Sequence, residues 1–340
     1  MRSASISRDR VGRTWRCAIA VIVAAAVTAA GAQTGPPATY RAGTDLVVLQ
    51  VSVSDAHRRH VPGLRAENFT VFEEGVPQPI AVFATSDAPL DVMLLLDTSG
   101  SMDLWLPVAK TAAADLVGSL RADDRAGLIL FDVGAKVAHP LSDKHESVIA
   151  AIRDVSPGGA TALYESVYIG LHTLSRARRA SDGVRRQALV VLTDGDDNAS
   201  RIPFEQALDA ARSGDVTIFT IMPGTPPPEG AMLTALGYRN ATVKFEMRRL
   251  AEDTGGRTFT TTEPAGLADV YEQIGRELRS QYWLAYAAGA GGPRFRRVAV
   301  RVNDPPGLLA RTRTGYNAGS SAAAHSSPPA PARRPEPPSP

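Results

Sequence analysis

The stretch Asp91–Asp97, DVMLLLD, runs directly into Thr98-Ser99-Gly100-Ser101 and then into a helical pattern from Leu104 to Leu120. An apolar run without polar alternation describes a strand buried on both faces, as in a parallel sheet covered by helices. The same strand-then-helix pattern recurs downstream. AGLILFD (Ala126–Asp132) is followed by a short strand around Val137 and by helices over His145–Asp154 and Ala162–Arg178. Strand Ala188–Thr193 leads to helix Phe204–Arg212, and strand Val216–Ile221 to helix Lys244–Asp253. Strand Arg257–Thr260 and helix Leu267–Ser280 close the series. Residues 89–280 are expected to form a doubly wound α/β domain with a mostly parallel sheet.

Both flanks read differently. Leu46–Val53 (LVVLQVSV), Asn68–Phe72 and Ile80–Phe83 precede the domain as short β-runs, and Tyr282–Ala287, Phe295–Val302 and Leu308–Thr314 follow it. Neither group has enough strands to bury a face alone. Chain ends of a domain commonly lie close together, so segments 33–88 and 281–316 are expected to form one β-sandwich-like module with the α/β domain inserted between them. Residues 317–340 are Ser-, Ala- and Pro-rich without apolar periodicity, and are expected to be disordered.

At the start, Arg2, Arg8, Arg10, Arg13 and Arg16 precede an apolar run, Cys17–Ala30, that ends at Ala30-Gly31-Ala32. The run is too short to span a hydrocarbon core of ~30 Å comfortably, and residues 1–32 read as a secretory signal peptide. The expected location is secreted, periplasmic or extracellular, with no membrane span left after cleavage. The sole cysteine, Cys17, departs with the leader, which excludes thiol catalysis and a disulfide framework in the mature chain. The full sequence has 37 Lys+Arg against 35 Asp+Glu. Without the leader the balance is 32 against 34, so nothing points to nucleic acid as a partner.

Asp97, Ser99 and Ser101 alternate through a strand-to-helix loop, where three oxygen side chains can converge outside the carboxyl end of the sheet. Doubly wound folds bind ligands at that place. Asp194 ends another buried strand in Leu192-Thr193-Asp194-Gly195, and the loop Gly158-Gly159-Ala160 can bring the Thr161 hydroxyl to the same point. Two carboxylates and three hydroxyls are hard donors suited to Mg²⁺, with Mn²⁺ or Ca²⁺ as alternatives. A cation held mostly by hydroxyls remains electrophilic and can take an Asp or Glu side chain from a protein partner. DxSxS alone is also what any loop or helix cap would use. The metal reading comes from its combination with Thr161 and Asp194, in order, on the expected strand ends.

These residues closely resemble the von Willebrand factor A domain and its metal-ion-dependent adhesion site, whose DxSxS, distant Thr and fourth-strand Asp correspond here to Asp97, Ser99, Ser101, Thr161 and Asp194. LLLDTSGSM, DRAGLILFD, GGATALYES and LVVLTDGDDN extend the likeness over about Asp91–Ile221, and the whole chain is similar to the secreted bacterial VWFA-related subgroup. The resemblance implies a six-stranded sheet with one antiparallel edge strand and divalent-cation-dependent adhesion or scaffolding without catalysis. The insert Pro223–Thr242 and the extra acids Asp196 and Asp197 depart from it, the acids being read as caps or solvated groups rather than ligands.

Two other readings compete. One is a metal-free structural module of a secreted assembly. The other is a Mg²⁺-dependent phosphatase-like hydrolase with an aspartyl nucleophile, but the second Asp that it needs as acid/base is Ser99 here. Cleavage after Ala32 is the first expected outcome: intact-mass measurement of exported protein should give a chain starting at Gln33, and a mature chain retaining Cys17 would refute the leader assignment.

Overall fold

A computed structural model describes residues 46–85, 88–181, 185–195, 197–224, 235–288 and 295–318, with the side chains of 235–240 excepted. The leader with Cys17, Asp196, residues 225–234 of the insert Pro223–Thr242 and the tail from residue 319 lie outside the described residues.

The middle of the chain builds a six-stranded sheet. Its strands are β5 (Leu90–Asp97), β6 (Arg125–Phe131), β7 (Ala135–Ser142), β8 (Arg186–Leu192), β9 (Val216–Pro223) and β10 (Thr258–Thr261). They lie in the order β10-β9-β8-β5-β6-β7, and every neighbouring pair is parallel except β6 with β7. Strand order reverses beside β5, so the loops after β5 and β8 face one another across the switch point. The helices are α1 (Leu106–Gly118), α2 (His145–Arg153), α3 (Leu163–Arg179), α4 (Phe204–Ser213), α5 (Ala235–Asp253) and α6 (Gly266–Arg279). One core joins α1, α2 and α6 to one face of the sheet, and a second joins α3, α4 and α5 to the other. Every residue of β5, β8 and β9 is buried, which explains their unalternated apolar sequences.

Two sheets of four strands carry the rest. Strands β1 (Leu46–Ser54), β4 (Ile80–Thr85), β11 (Tyr282–Ala287) and β13 (Leu309–Arg311) lie in the order β13-β1-β11-β4. Strands β2 (Phe69–Glu73), β3 (Val76–Gln78), β12 (Phe295–Val302) and β14 (Gly315–Asn317) lie in the order β14-β12-β2-β3. Strands from before and after the α/β domain therefore share both sheets, alternating in the first and meeting at the β12–β2 pair in the second. Val47, Leu49 and Val51 of β1, Phe69 and Val71 of β2, Leu284 of β11 and Val298 and Val300 of β12 meet in one core between the sheets. Glu73 binds across that core. It accepts from Tyr286 and Tyr316 (2.8 Å each) and from Arg296 (2.9 Å), joining both sheets.

Several elements depart from the sequence reading. The helix expected from Leu104 starts at Leu106, after a 3-10 turn over Gly100–Met102, and the helix expected from Lys244 starts at Ala235. Only Leu309–Arg311 of the Leu308–Thr314 run forms a strand, β13, while β14 lies wholly beyond that run, joins the other sheet and takes in Asn317 from the segment expected to be disordered. Strand β3 carries Pro77 and no buried residue, so no hydrophobic signal marks it. Arg178, in the basic last turn of α3, is paired with Asp215 at 2.5 Å.

The buried Glu73 network generates a stability test. Glu73→Ala removes the carboxylate that answers the buried Arg296 charge and should cost about 3 to 5 kcal/mol by urea denaturation, against about 1 kcal/mol for Tyr316→Phe.

Candidate metal-binding site

The site is built from the end of β5 outward. Asp97 closes that strand opposite Phe131 of β6, and its carboxylate is wholly buried. One oxygen accepts the backbone N–H of Ser99 (2.9 Å) and the other accepts the Thr193 hydroxyl (2.6 Å). Thr98, between them, donates its N–H and its hydroxyl to the Phe131 carbonyl, locking the turn to the neighbouring strand. The chain then enters the 3-10 turn, which leaves Ser99 buried and Ser101 exposed.

The hydroxyls and the second carboxylate meet here. Ser99 Oγ lies 3.1 Å from Ser101 Oγ, and Ser101 Oγ donates to Asp194 at 2.8 Å. Gly195 follows Asp194, and a Cβ placed on it would sit 3.8 Å from Thr161 Oγ1 and 4.0 Å from Ser101 Oγ. Gly195 therefore sits in ordinary contact distance of both hydroxyls. Asp97, Ser99, Ser101, Thr161 and Asp194 thus border one small region beyond the carboxyl ends of β5 and β8.

Thr161 is positioned from two sides. Gly158 donates its N–H to the Thr98 carbonyl at 2.5 Å, and Gly100 donates to Gly159, tying this loop to the one after β5. Gly158 has no room for a side chain, since its Cβ would lie 2.4 Å from an Asp132 oxygen. From the other side, the loop after β8 supplies the groups that the start of α3 lacks. Asn198 accepts the Thr161 N–H (2.8 Å), Asp197 that of Leu163 (2.8 Å) and Ser200 that of Glu165 (3.0 Å). A helix exposes several N–H groups at its start, and Ala162 at the cap position has no side chain to answer them. That deficit was a signal in the sequence: a helix entered through Gly-Gly-Ala-Thr-Ala must be capped from elsewhere. Asp197 is accordingly a cap. Thr193, whose hydroxyl orients the Asp97 carboxylate, was not singled out from sequence.

The electrostatics separate this pole from the opposite one. Asp91, at the other end of β5, is equally buried but receives Arg125 through two hydrogen bonds (2.8 and 2.7 Å) and Arg185 through one (2.6 Å). Among the described residues no Lys or Arg pairs with Asp97 or Asp194. Burial pushes Asp97 up to about 6, opposed by the hydrogen bonds of Thr193 and Ser99 and reinforced by the charge of Asp194. Asp194 is raised as well, again chiefly by burial. The donor set of two carboxylates lacking a counter-charge and three hydroxyls fits a hard divalent cation. No group of three or more His, Cys, Asp or Glu side chains suited to a metal occurs among the described residues.

The profile of the von Willebrand factor type A domain matches residues 91–273, more than half of the chain. A UPF0353 protein of Mycolicibacterium paratuberculosis is 26% identical over 202 residues, covering 55% of this chain and 60% of the relative. The chain thus spans less than two thirds of that relative's length. A solved von Willebrand factor type A protein from Catenulispora acidiphila covers 82% of this chain and 75% of its own, at 14% identity and a TM-score of 0.47. Proximal thread matrix protein 1 from the mussel byssus, solved with a zinc-occupied MIDAS motif, covers 58% of this chain and 50% of its own, at 22% identity and a TM-score of 0.47.

The raised Asp97 acid has a testable sign. Between its ordinary value of 3.8 and about 6 the native state holds a proton that the unfolded state has released. The contribution of this group to stability is therefore full below pH about 4 and is lost as pH rises through about 6. In EDTA, the melting temperature of wild type should fall relative to that of Asp97→Asn across this window. Parallel curves would show that the buried carboxyl does not titrate there.

Proposed function

Because the chain belongs to the von Willebrand factor type A domain family, a family of protein-interaction modules, we propose that it is an exported, non-catalytic adhesion or scaffolding protein. It engages its partner through a divalent cation, Mg²⁺ in the first instance, with Mn²⁺ or Ca²⁺ as alternatives. The observation that carries this reading is the uncompensated pair Asp97 and Asp194 bordered by Ser99, Ser101 and Thr161.

In this reading Asp97 and Asp194 hold the charge of the cation while Ser99, Ser101 and Thr161 contribute neutral oxygens. The bound cation supplies an electrophilic centre for an Asp or Glu carboxylate of the protein partner. Thr193 keeps the Asp97 carboxylate oriented. Positions are set before binding, because the loops are tied to strand ends and to the start of α3 rather than to one another alone. No helix among the described residues is long and apolar enough to cross a membrane, and export rests on the leader motif.

One observation favours a metal-free structural module instead. The Ser101–Asp194 and Thr193–Asp97 hydrogen bonds already give each carboxylate a partner. Cation titration separates the two readings. A ligand that binds only the native state at a hundredfold excess over its Kd stabilises by about 2.7 kcal/mol, a Tm rise of roughly 5 to 10 °C for a domain of this size. Mg²⁺ should produce such a rise in wild type and none in Asp97→Ala, with Ser101→Ala requiring more Mg²⁺ for the same shift. Absence of any shift with Mg²⁺, Mn²⁺ or Ca²⁺ in wild type would favour the structural module.

A further inference from the structure

A cleft that the adhesion reading does not use lies where the β-strands of the two flanks meet the α/β domain. The flanks line it with Trp283 of β11 and with Thr312 and Arg313 between β13 and β14. The domain lines it with the last turns of α3, α4 and α5 and the short stretch ahead of β9. Arg313 crosses the junction: Nη1 donates to Asp215 (2.7 Å) and to the Gly214 carbonyl (3.3 Å), and Nη2 to the Val48 carbonyl of β1 (3.2 Å). Arg178 holds the other oxygen of Asp215 at 2.5 Å, and Arg212 holds Asp253 at 2.9 and 2.6 Å.

Polar groups without partners collect at this cleft. Trp283 lies opposite Gln50 in the β1–β11 pair, so the two side chains share a face, and Gln50 donates across the junction to the Asp215 carbonyl at 3.1 Å. The indole is therefore turned toward the cleft, and it is only 7% exposed. Its Nε1–H has no hydrogen-bond partner among the described residues, and neither have Arg313 Nε and the Thr312 hydroxyl. Folded interiors leave few such groups unanswered, because each keeps its full desolvation cost. Three of the seven buried side-chain atoms without a partner among the described residues belong to residues lining this one cleft.

Charge narrows the chemistry of a ligand. Among the described residues the charged side chains of the lining are Arg178, Arg212 and Arg313 against Asp215 and Asp253, and Asp215 is shared by two of the arginines. One positive charge is left over. The three arginines keep 24, 22 and 12% of their side chains accessible, so the mouth of the cleft is open to solvent. We propose that this cleft binds a single carboxylate, that of a small organic acid or of a chain end, with Trp283, Thr312 and Arg313 as its donors. Carboxylate oxygens only accept, which suits three donors, and one negative charge matches the one left over. A dianion would bring Asp215 and Asp253 a second charge that nothing in the lining answers. Such a ligand touches both sides of the junction and is independent of Asp97 and Asp194.

The test uses the full chain in EDTA at constant ionic strength, with acetate, N-acetyl-trialanine, the carboxamide of that peptide and sulfate as probes. In isotope-labelled protein the indole N–H resonance of Trp283, assigned by its loss in Trp283→Phe, should move saturably with acetate or N-acetyl-trialanine while that of Trp105 stays in place. Tighter N-acetyl-trialanine assigns the site to a chain end, and equal or tighter acetate to a free acid. Thr312→Val exchanges an unpartnered hydroxyl for a methyl group, so its Tm without probe should equal or exceed that of wild type while its affinity, read from the Tm rise with probe, falls at least fivefold. Asp97→Ala should bind as wild type does. No saturable movement with either carboxylate, an equal response to the carboxamide or to sulfate, or affinity unchanged in both Thr312→Val and Trp283→Phe would overturn the proposal.

Discussion

Strand β5 carries a buried aspartate near each end, and the chain treats them in opposite ways. Burying a carboxylate without a partner is costly, and the usual remedy is a guanidinium or a proton. Asp91 takes the first remedy twice, from Arg125 and Arg185. Asp97 has hydrogen bonds from Thr193 and Ser99 but no cation among the described residues, and burial raises it toward neutrality. One strand therefore has a pole where arginines cancel the buried charge and a pole where, among the described residues, no cation answers it. The reading of the remaining loops depends on that asymmetry.

The loops at the Asp97 pole are fastened to different elements. The loop after β5 is tied to β6 through Thr98, the Gly158–Thr161 loop is tied to it through Gly158 and Gly100, and the loop after β8 caps α3. Each tie satisfies backbone groups that would otherwise be left open at a strand or helix end. Fold and site thus share their hydrogen bonds. The β-module completes the arrangement at the other side: Arg313 pairs with Asp215, and Gln50 donates to the Asp215 carbonyl, so that the short stretch ahead of β9 is held by strands from both flanks of the chain.

Strands β5, β8 and β9 were legible as uninterrupted apolar runs because both faces are covered, and β1, β2 and β12 were legible because alternation marks one covered face. The five oxygen residues were legible too, since they lie where a doubly wound sheet ends its strands. Strand β3 was not, because no side chain on it is buried and only its pairing with β2 defines it. The roles of Thr193, Asn198 and Ser200 were hidden for a different reason. Each contacts a residue at least 30 positions away, and nothing in its own neighbourhood distinguishes it from an ordinary loop polar group.

By itself the sequence determined the doubly wound α/β class and the order of its main strands and helices, and it singled out the candidate ligands, since these readings follow from local periodicity and from where strands end. Tertiary structure alone decided which aspartate of β5 keeps its charge uncompensated and which loop caps α3. It alone also brought Arg257 and Arg311, from two separate segments, to a single Glu277. Those outcomes depend on distances between residues far apart in the chain, and a charge balance is a property of the space around a group, not of its neighbours in sequence.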